Sequence, residues 1–190
     1  MKKYQIIYAD PPWQYNDKSL HRGGAERHYN TMKIDDIINL NIKEITDTNC
    51  CLFLWATFPL IKHSFNVITA WGFEYKTCAF VWIKTNKRTN INQTIFLPEH
   101  HFDSFWGMGH WTRSNAEICL LAIKGKPKRK SANVHQLIYE PISNHSKKPT
   151  SVYNKIINLC GDLNKIELFA RKQRSGWDSW GNEINNNIEL

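Results

Sequence analysis

Gln5-Ile6-Ile7-Tyr8-Ala9-Asp10-Pro11-Pro12-Trp13 decides the fold: an apolar run that ends on an acid, two prolines and an indole. Continuous rather than alternating apolar residues over 5–9 mark a strand covered on both faces, the habit of parallel sheets. Similar runs recur at 51–56, 80–83, 118–123, 136–140 and 165–169. Between them, 35–40 reads as a short helix, and 60–70 sets Leu60, Ile61, Phe65 and Ile68 on one helical face before Gly72 stops it. Thr150 or Ser151 is expected to cap a further helix carrying Val152, Tyr153, Ile156, Ile157 and Leu159 as far as Gly161. Strands alternating with helices predict an α/β fold, a mostly parallel sheet with helices on both faces. Such sheets bind ligands outside the carboxyl ends of their strands. Asp10-Pro11-Pro12-Trp13 falls there.

The chain has 190 residues, with 42% hydrophobic and 22% charged, the balance of an ordinary globular domain rather than a disordered segment. We expect one domain over 1–184, with 185–190 as a frayed tail. A formal net charge of +8 favours a polyanionic partner, and eight tryptophans beside it suit unpaired bases. The five cysteines form no C-x-x-C pair and several sit in apolar runs, as small buried residues do in a reducing compartment. No metal site is expected, although His100, His101 and His110 lie close in sequence. No apolar run approaches the roughly 18 residues of a membrane span, so the expected location is the cytoplasm. Three segments do not fit the strand–helix alternation: 14–31, with Gly23-Gly24; 85–112, rich in Asn and broken by Gly107 and Gly109; and 124–133, with the densest positive run. Loops this long in a small domain are usually functional or mobile.

Three stretches carry chemistry. The 6-amino group of adenine is a poor nucleophile because its lone pair is delocalised into the ring. Two acceptors, one for each amino hydrogen, draw the nitrogen toward a tetrahedral geometry. The Asp10 carboxylate and the Pro11 carbonyl supply such a pair, Pro12 adds no competing N–H, and Trp13 offers a face to an extruded base. The second stretch, Lys165-Ile-Glu-Leu-Phe-Ala-Arg171 followed by Gly176-Trp-Asp-Ser-Trp-Gly-Asn-Glu183, suits ribose hydroxyls and an adenine wall. In the third, His145-Ser-Lys-Lys-Pro149, a lysine before a helix can neutralise a carboxylate. Each also has a plain structural reading: a strand-ending turn, an acid paired with a neighbouring cation, a solvated basic loop. No phosphate loop and no strand-linked G-x-G-x-x-G is present, which disfavours ATP and nicotinamide chemistry and leaves S-adenosylmethionine open.

In this order the stretches resemble the N6-adenine and N6-adenosine methyltransferases, the family that includes the catalytic subunit of the eukaryotic messenger-RNA m6A writer. The resemblance runs from about Tyr4 to Glu183. It also takes in Tyr29-Asn-Thr-Met32, Leu52-Phe-Leu-Trp55, Trp71-Gly-Phe, Trp82-Ile-Lys-Thr-Asn86, Gly109-His-Trp-Thr-Arg113 with Glu117, and Lys124-Gly-Lys-Pro127. It implies a Rossmann-like, S-adenosylmethionine-dependent methyltransferase fold in which Asp10 and Pro11, with Pro12 and Trp13, hold the target amine. It further implies that Asp10, Lys148, Glu167, Phe169, Arg171, Asn182 and Glu183 bind S-adenosyl-L-methionine, with Lys148 on its carboxylate. Tyr29 is expected to touch the target base, and His110, Trp111 and Arg113 to border the substrate channel. Basic loops at Lys84-Lys87-Arg88, at Lys124 to Lys130 (Lys128, Arg129 and Lys130 among them) and at Arg171-Lys172-Arg174 are expected to meet substrate phosphates. The eukaryotic subunit has a segment ahead of its catalytic strand that helps hold the cofactor adenine; this sequence opens at that strand, so the cofactor set is expected to be incomplete there. Compactness points to a bacterial or phage type of enzyme and to DNA as substrate. The alternatives are RNA adenosine, cytosine N4, or a non-catalytic nucleic-acid-binding subunit; a homodimer or heterodimer fits a domain too small to hold a duplex alone.

Overall fold

The computed structural model describes residues 2–14, 31–86, 105–107, 109, 111–143 and 147–190. In chain order these contain β1 (Tyr4–Ala9), α1 (Ile34–Ile38), β2 (Thr46–Ala56), α2 (Ile61–Ala70), β3 (Glu74–Thr85), β4 (Ala116–Lys124), β5 (Leu137–Pro141), α3 (Ser151–Cys160), β6 (Lys165–Leu168) and β7 (Asp178–Trp180). The seven strands form one sheet in the order β5-β3-β4-β2-β1-β6-β7.

The apolar run of β1 has a direct cause. Successive strand residues point to opposite faces, and both faces are covered. Ile7, Ala9, Leu52 and Leu54 pack on one side with Ile37 of α1 and Val67 and Ile68 of α2. Ile6, Tyr8, Phe53 and Trp55 pack on the other with Val152 and Ile156 of α3. Full burial of one such isoleucine stabilises the fold by about 1.5–3 kcal/mol. Polar residues are therefore excluded from 6–9 until Asp10 emerges at the rim.

The expected mostly parallel sheet needs a correction at its centre. β4 pairs antiparallel with both β2 and β3, whereas β1–β2, β1–β6, β6–β7 and β3–β5 are parallel. Every strand except β4 thus runs in one direction. An antiparallel neighbour needs no crossover helix, and apolar content carries no record of direction. The reversal places the amino end of β4 beside the carboxyl ends of its neighbours: Ala56 faces Ile118 and Trp82 faces Glu117.

Three local readings also change. α1 is shorter than expected. β6 stops at Leu168, because Phe169 turns left-handed (φ 60°). Thr150 occupies the cap of α3 without a side-chain capping bond, while Gly161 ends that helix at φ 93°. β7, only three residues long, went unread. In the tail, Asn186 Oδ1 accepts from the Gly181 N–H at 2.8 Å, Asn187 Oδ1 from the Ser179 N–H at 2.9 Å, and Ile188 and Leu190 lie against the core. Side-chain amides replace strand partners there, and the two apolar residues dock them.

Candidate active site

The carboxyl rim of the sheet gathers charged groups from distant parts of the chain. Asp10 follows β1, Lys84 sits near the end of β3, Glu117 near the start of β4, and Lys148 just ahead of α3. Lys148 Nζ lies 2.7 Å from Asp10 Oδ1 and 2.8 Å from Asp10 Oδ2, so one ammonium holds both carboxylate oxygens. The same nitrogen is 3.3 Å from Glu117 Oε2, and Glu117 Oε1 is 2.5 Å from Lys84 Nζ. Asp10, Lys148, Glu117 and Lys84 form a row of alternating charge with no formal net charge. The Lys148 side chain is only 9% exposed. Its ammonium rides 5.5 Å from the centre of the Trp55 ring, whose indole N–H donates to Tyr8 Oη at 2.8 Å.

Electrostatics follow from this burial. Desolvation raises the Asp10 carboxyl above its ordinary value, against the pull of Lys148. For Lys148, desolvation is again the largest influence and opposes the charge, yet Asp10 and Glu117 together hold the ammonium above the ordinary lysine value. Glu117 is likewise desolvated, but Lys148 and Lys84 outweigh burial and lower it. Truncating one member of a buried charge pair costs about 3–5 kcal/mol, because its partner is left unpaired.

Beside Asp10, β6 delivers a third acid, Glu167. Burial raises Glu167 to about 7, even though the Tyr153 hydroxyl donates to its Oε1 at 2.8 Å. Arg174 stacks 3.6 Å from the centre of the Tyr153 ring, and Trp177 meets that ring edge-on at 5.4 Å. A cleft of about 420 Å³ opens there between α3 and the β6–β7 connection, with Asn154, Lys172 and Ser175 on its walls.

Past the ends of β6 and β7 lie the other residues expected to hold a cofactor. Phe169 keeps a left-handed backbone, which costs a non-glycine residue about 1–3 kcal/mol, and its ring meets Trp180 edge-on at 5.5 Å. Arg171 Nε lies 3.9 Å from Glu183 Oε1 and its charge reaches Asp10. Asn182 and Glu183 are exposed after Gly181. A Cβ at Gly181 would stand 2.1 Å from the Ala170 carbonyl oxygen, so that close approach requires glycine.

The turn after β1 makes contacts of its own. The Pro11 carbonyl accepts the Trp13 N–H at 2.8 Å, and the Pro12 carbonyl accepts the Met32 N–H at 2.8 Å. A carbonyl has two lone pairs, so Pro11 retains capacity for a second donor. Trp13 is 3% exposed and sits in the core, its indole N–H donating to the Trp55 carbonyl at 3.1 Å. It braces the turn, and its faces are occupied by core neighbours rather than offered to a base.

Trp111 and Arg113 lie exposed just ahead of β4, at the same rim. Lys128, Arg129 and Lys130 do not join them. They follow β4 at the opposite rim, where Lys124 faces Cys50, and the Lys130 N–H donates to the Leu159 carbonyl near the end of α3 at 2.7 Å. Tyr29 and His110 fall outside the described residues. In the sequence Glu117 stands out only inside a motif, and Lys84 only inside a motif and as a phosphate contact; their pairing depends on the direction of β4. Among the described residues no group of His, Cys, Asp and Glu is arranged to hold a metal, and no helix is long and apolar enough to cross a membrane.

The type II methyltransferase M.MunI of a Mycoplasma species is 38% identical over 209 residues, covering 100% of this chain and 82% of that protein. The human N(6)-adenosine-methyltransferase catalytic subunit METTL3 is 29% identical over 185 residues, covering 96% of this chain and 28% of its own length. A putative N(6)-adenosine-methyltransferase of Medicago truncatula is 30% identical over 186 residues, covering 96% of this chain and 26% of that protein. The chain thus spans about a quarter of the adenosine methyltransferases it matches and most of M.MunI. With residues 4–183 matching the MT-A70 family, and a paired acid at the carboxyl rim of a Rossmann-like sheet, the chain belongs to the MT-A70 methyltransferases.

Proposed function

We propose that the chain transfers a methyl group from S-adenosylmethionine to the N6 amino group of adenine in DNA. The observation that carries this reading is the Asp10 carboxylate, held at the carboxyl rim by a buried lysine that has a second acid within reach. Similarity to a type II methyltransferase along nearly its whole length supports DNA. Similarity to N(6)-adenosine methyltransferases supports the amino group as the target, and supports RNA as the second reading.

The residues fit the cofactor by donor type. Lys148 is a desolvated ammonium suited to a carboxylate, Asp10 suits an amine, Phe169 offers an aromatic wall, and Arg171, Asn182 and Glu183 offer polar groups to ribose. The cofactor supplies an electrophilic methyl group on a sulfonium sulfur. Lys148 can move from Asp10 toward Glu117, which exposes the Asp10 oxygens to an amino group. Asp10 then accepts one amino hydrogen and Pro11 the other, localising the nitrogen lone pair. Loss of a proton must accompany methylation, and the raised proton affinity of Asp10 suits it to hold that proton in passing.

The test is transfer of labelled methyl from S-adenosylmethionine to matched DNA and RNA oligonucleotides, followed by mass spectrometry of the nucleosides. N6-methyldeoxyadenosine is expected. N4-methylcytosine, methylated RNA alone, or no product would each overturn the proposal. Asp10→Ala should lower turnover by at least about a thousandfold while its circular dichroism spectrum stays that of the parent.

A further inference from the structure

Of the eight tryptophans, Trp106 and Trp111 are the two largely exposed ones, at 75% and 94%. The others lie in the core or against it. An exposed indole is the informative kind of surface residue, since burial is the usual state of so large an apolar group.

Trp106 stands on a fixed backbone. The Phe105 N–H donates to the Lys84 carbonyl at 2.9 Å, and the Lys84 N–H donates to the Asn115 carbonyl at 2.8 Å, so Lys84 clasps both segments. A Cβ at Gly107 would stand 1.9 Å from the Ser114 carbonyl oxygen, so the backbones at 107 and 114 touch. Arg113, just before that contact, places its guanidinium carbon 5.8 Å from the centre of the Trp106 ring. Lys84 is also the outermost member of the charged row that ends on Asp10.

We infer that Trp106 and Arg113 form a stacking platform for an unpaired base of the DNA strand, next to the base that enters the Asp10 site. Indole faces stack on any base, and a guanidinium beside them pairs with the phosphate that accompanies it. The net charge of +8 and the tie to the Asp10 row favour a nucleic-acid strand over a protein surface. This inference rests on the proposed function and adds to it the means of holding the flanking strand.

The experiment compares the parent protein with Trp106→Ala and Trp106→Phe, using a DNA oligonucleotide carrying 2-aminopurine beside the target adenine. Both equilibrium binding and methyl transfer are measured. Trp106→Ala should weaken DNA binding and raise KM for DNA by about tenfold, with kcat and cofactor affinity within about twofold of the parent. Trp106→Phe, which keeps a ring, should return both to within about threefold. Binding and KM unchanged in Trp106→Ala would overturn the inference. So would a change confined to sedimentation, which would assign the ring to a protein partner. If the parent binds DNA but transfers no methyl group, the proposed function fails while the binding data still judge Trp106. If it binds no DNA, both fall.

Discussion

Lys84 shows how far the candidate site reaches beyond the residues that would touch a ligand. It occupies one oxygen of Glu117 and leaves the other for Lys148. Without it, Glu117 would compete harder for Lys148 and hold the ammonium back from an incoming cofactor carboxylate. Lys84→Met is therefore expected to lower methyl-transfer turnover by about tenfold and to change the pH profile, with Lys84→Arg restoring most of both; steady-state kinetics between pH 5 and 9 check this. Glu167 yields a second prediction. Its carboxyl stands near 7 in the folded protein against an ordinary 4.5, so folding favours the protonated form. That contribution is complete below pH 4.5 and is lost as pH rises through 7. In Glu167→Gln the fall in melting temperature between pH 5 and 8 should be smaller than in the parent, as thermal unfolding followed by circular dichroism would register.

At the scale of elements, β4 matters most. Leu120, 2% exposed in its middle, packs against the face covered by α1 and α2. Leu120→Ala should cost about 2–5 kcal/mol in urea unfolding. The apolar runs of β1, β2 and β4 made these strands legible, because a strand buried on both faces can carry little else. Their direction was not legible, since Ala116-Glu117-Ile118 reads the same whichever way the strand points. For that reason the sequence does not show Glu117 beside Lys148. β7 was missed because three residues, one of them charged, leave no apolar signature. Composition cannot tell an indole that braces a turn, as Trp13 does from within the core, from one that meets a ligand. Asp10 and Lys148 each stand in a motif, and the contact between them required α3 to fold back over β1.

Among the described residues, basic side chains stand at both rims of the sheet. Lys84, Arg113, Arg171 and Lys148 lie at the rim of Asp10, while Lys124, Lys128, Arg129 and Lys130 lie at the other. Binding of a polyanion at the first rim should weaken with salt as counterions are released. Replacing Lys128, Arg129 and Lys130 together by Gln is expected to leave kcat, and the slope of log affinity against log salt, close to the parent values. A slope reduced by two or more would mean that the strand wraps around to the far rim. Fluorescence anisotropy from low to moderate salt measures it.

The single ammonium shared between Asp10 and Glu117 has a thermodynamic consequence. Lys148 cannot neutralise Asp10 and an incoming carboxylate with equal strength at the same moment. An acidic ligand that claims Nζ releases Asp10 for an amine, and an amine that settles on Asp10 releases Nζ for an acid. The two binding events therefore assist one another by the same factor in either direction, and the reciprocity runs through one atom.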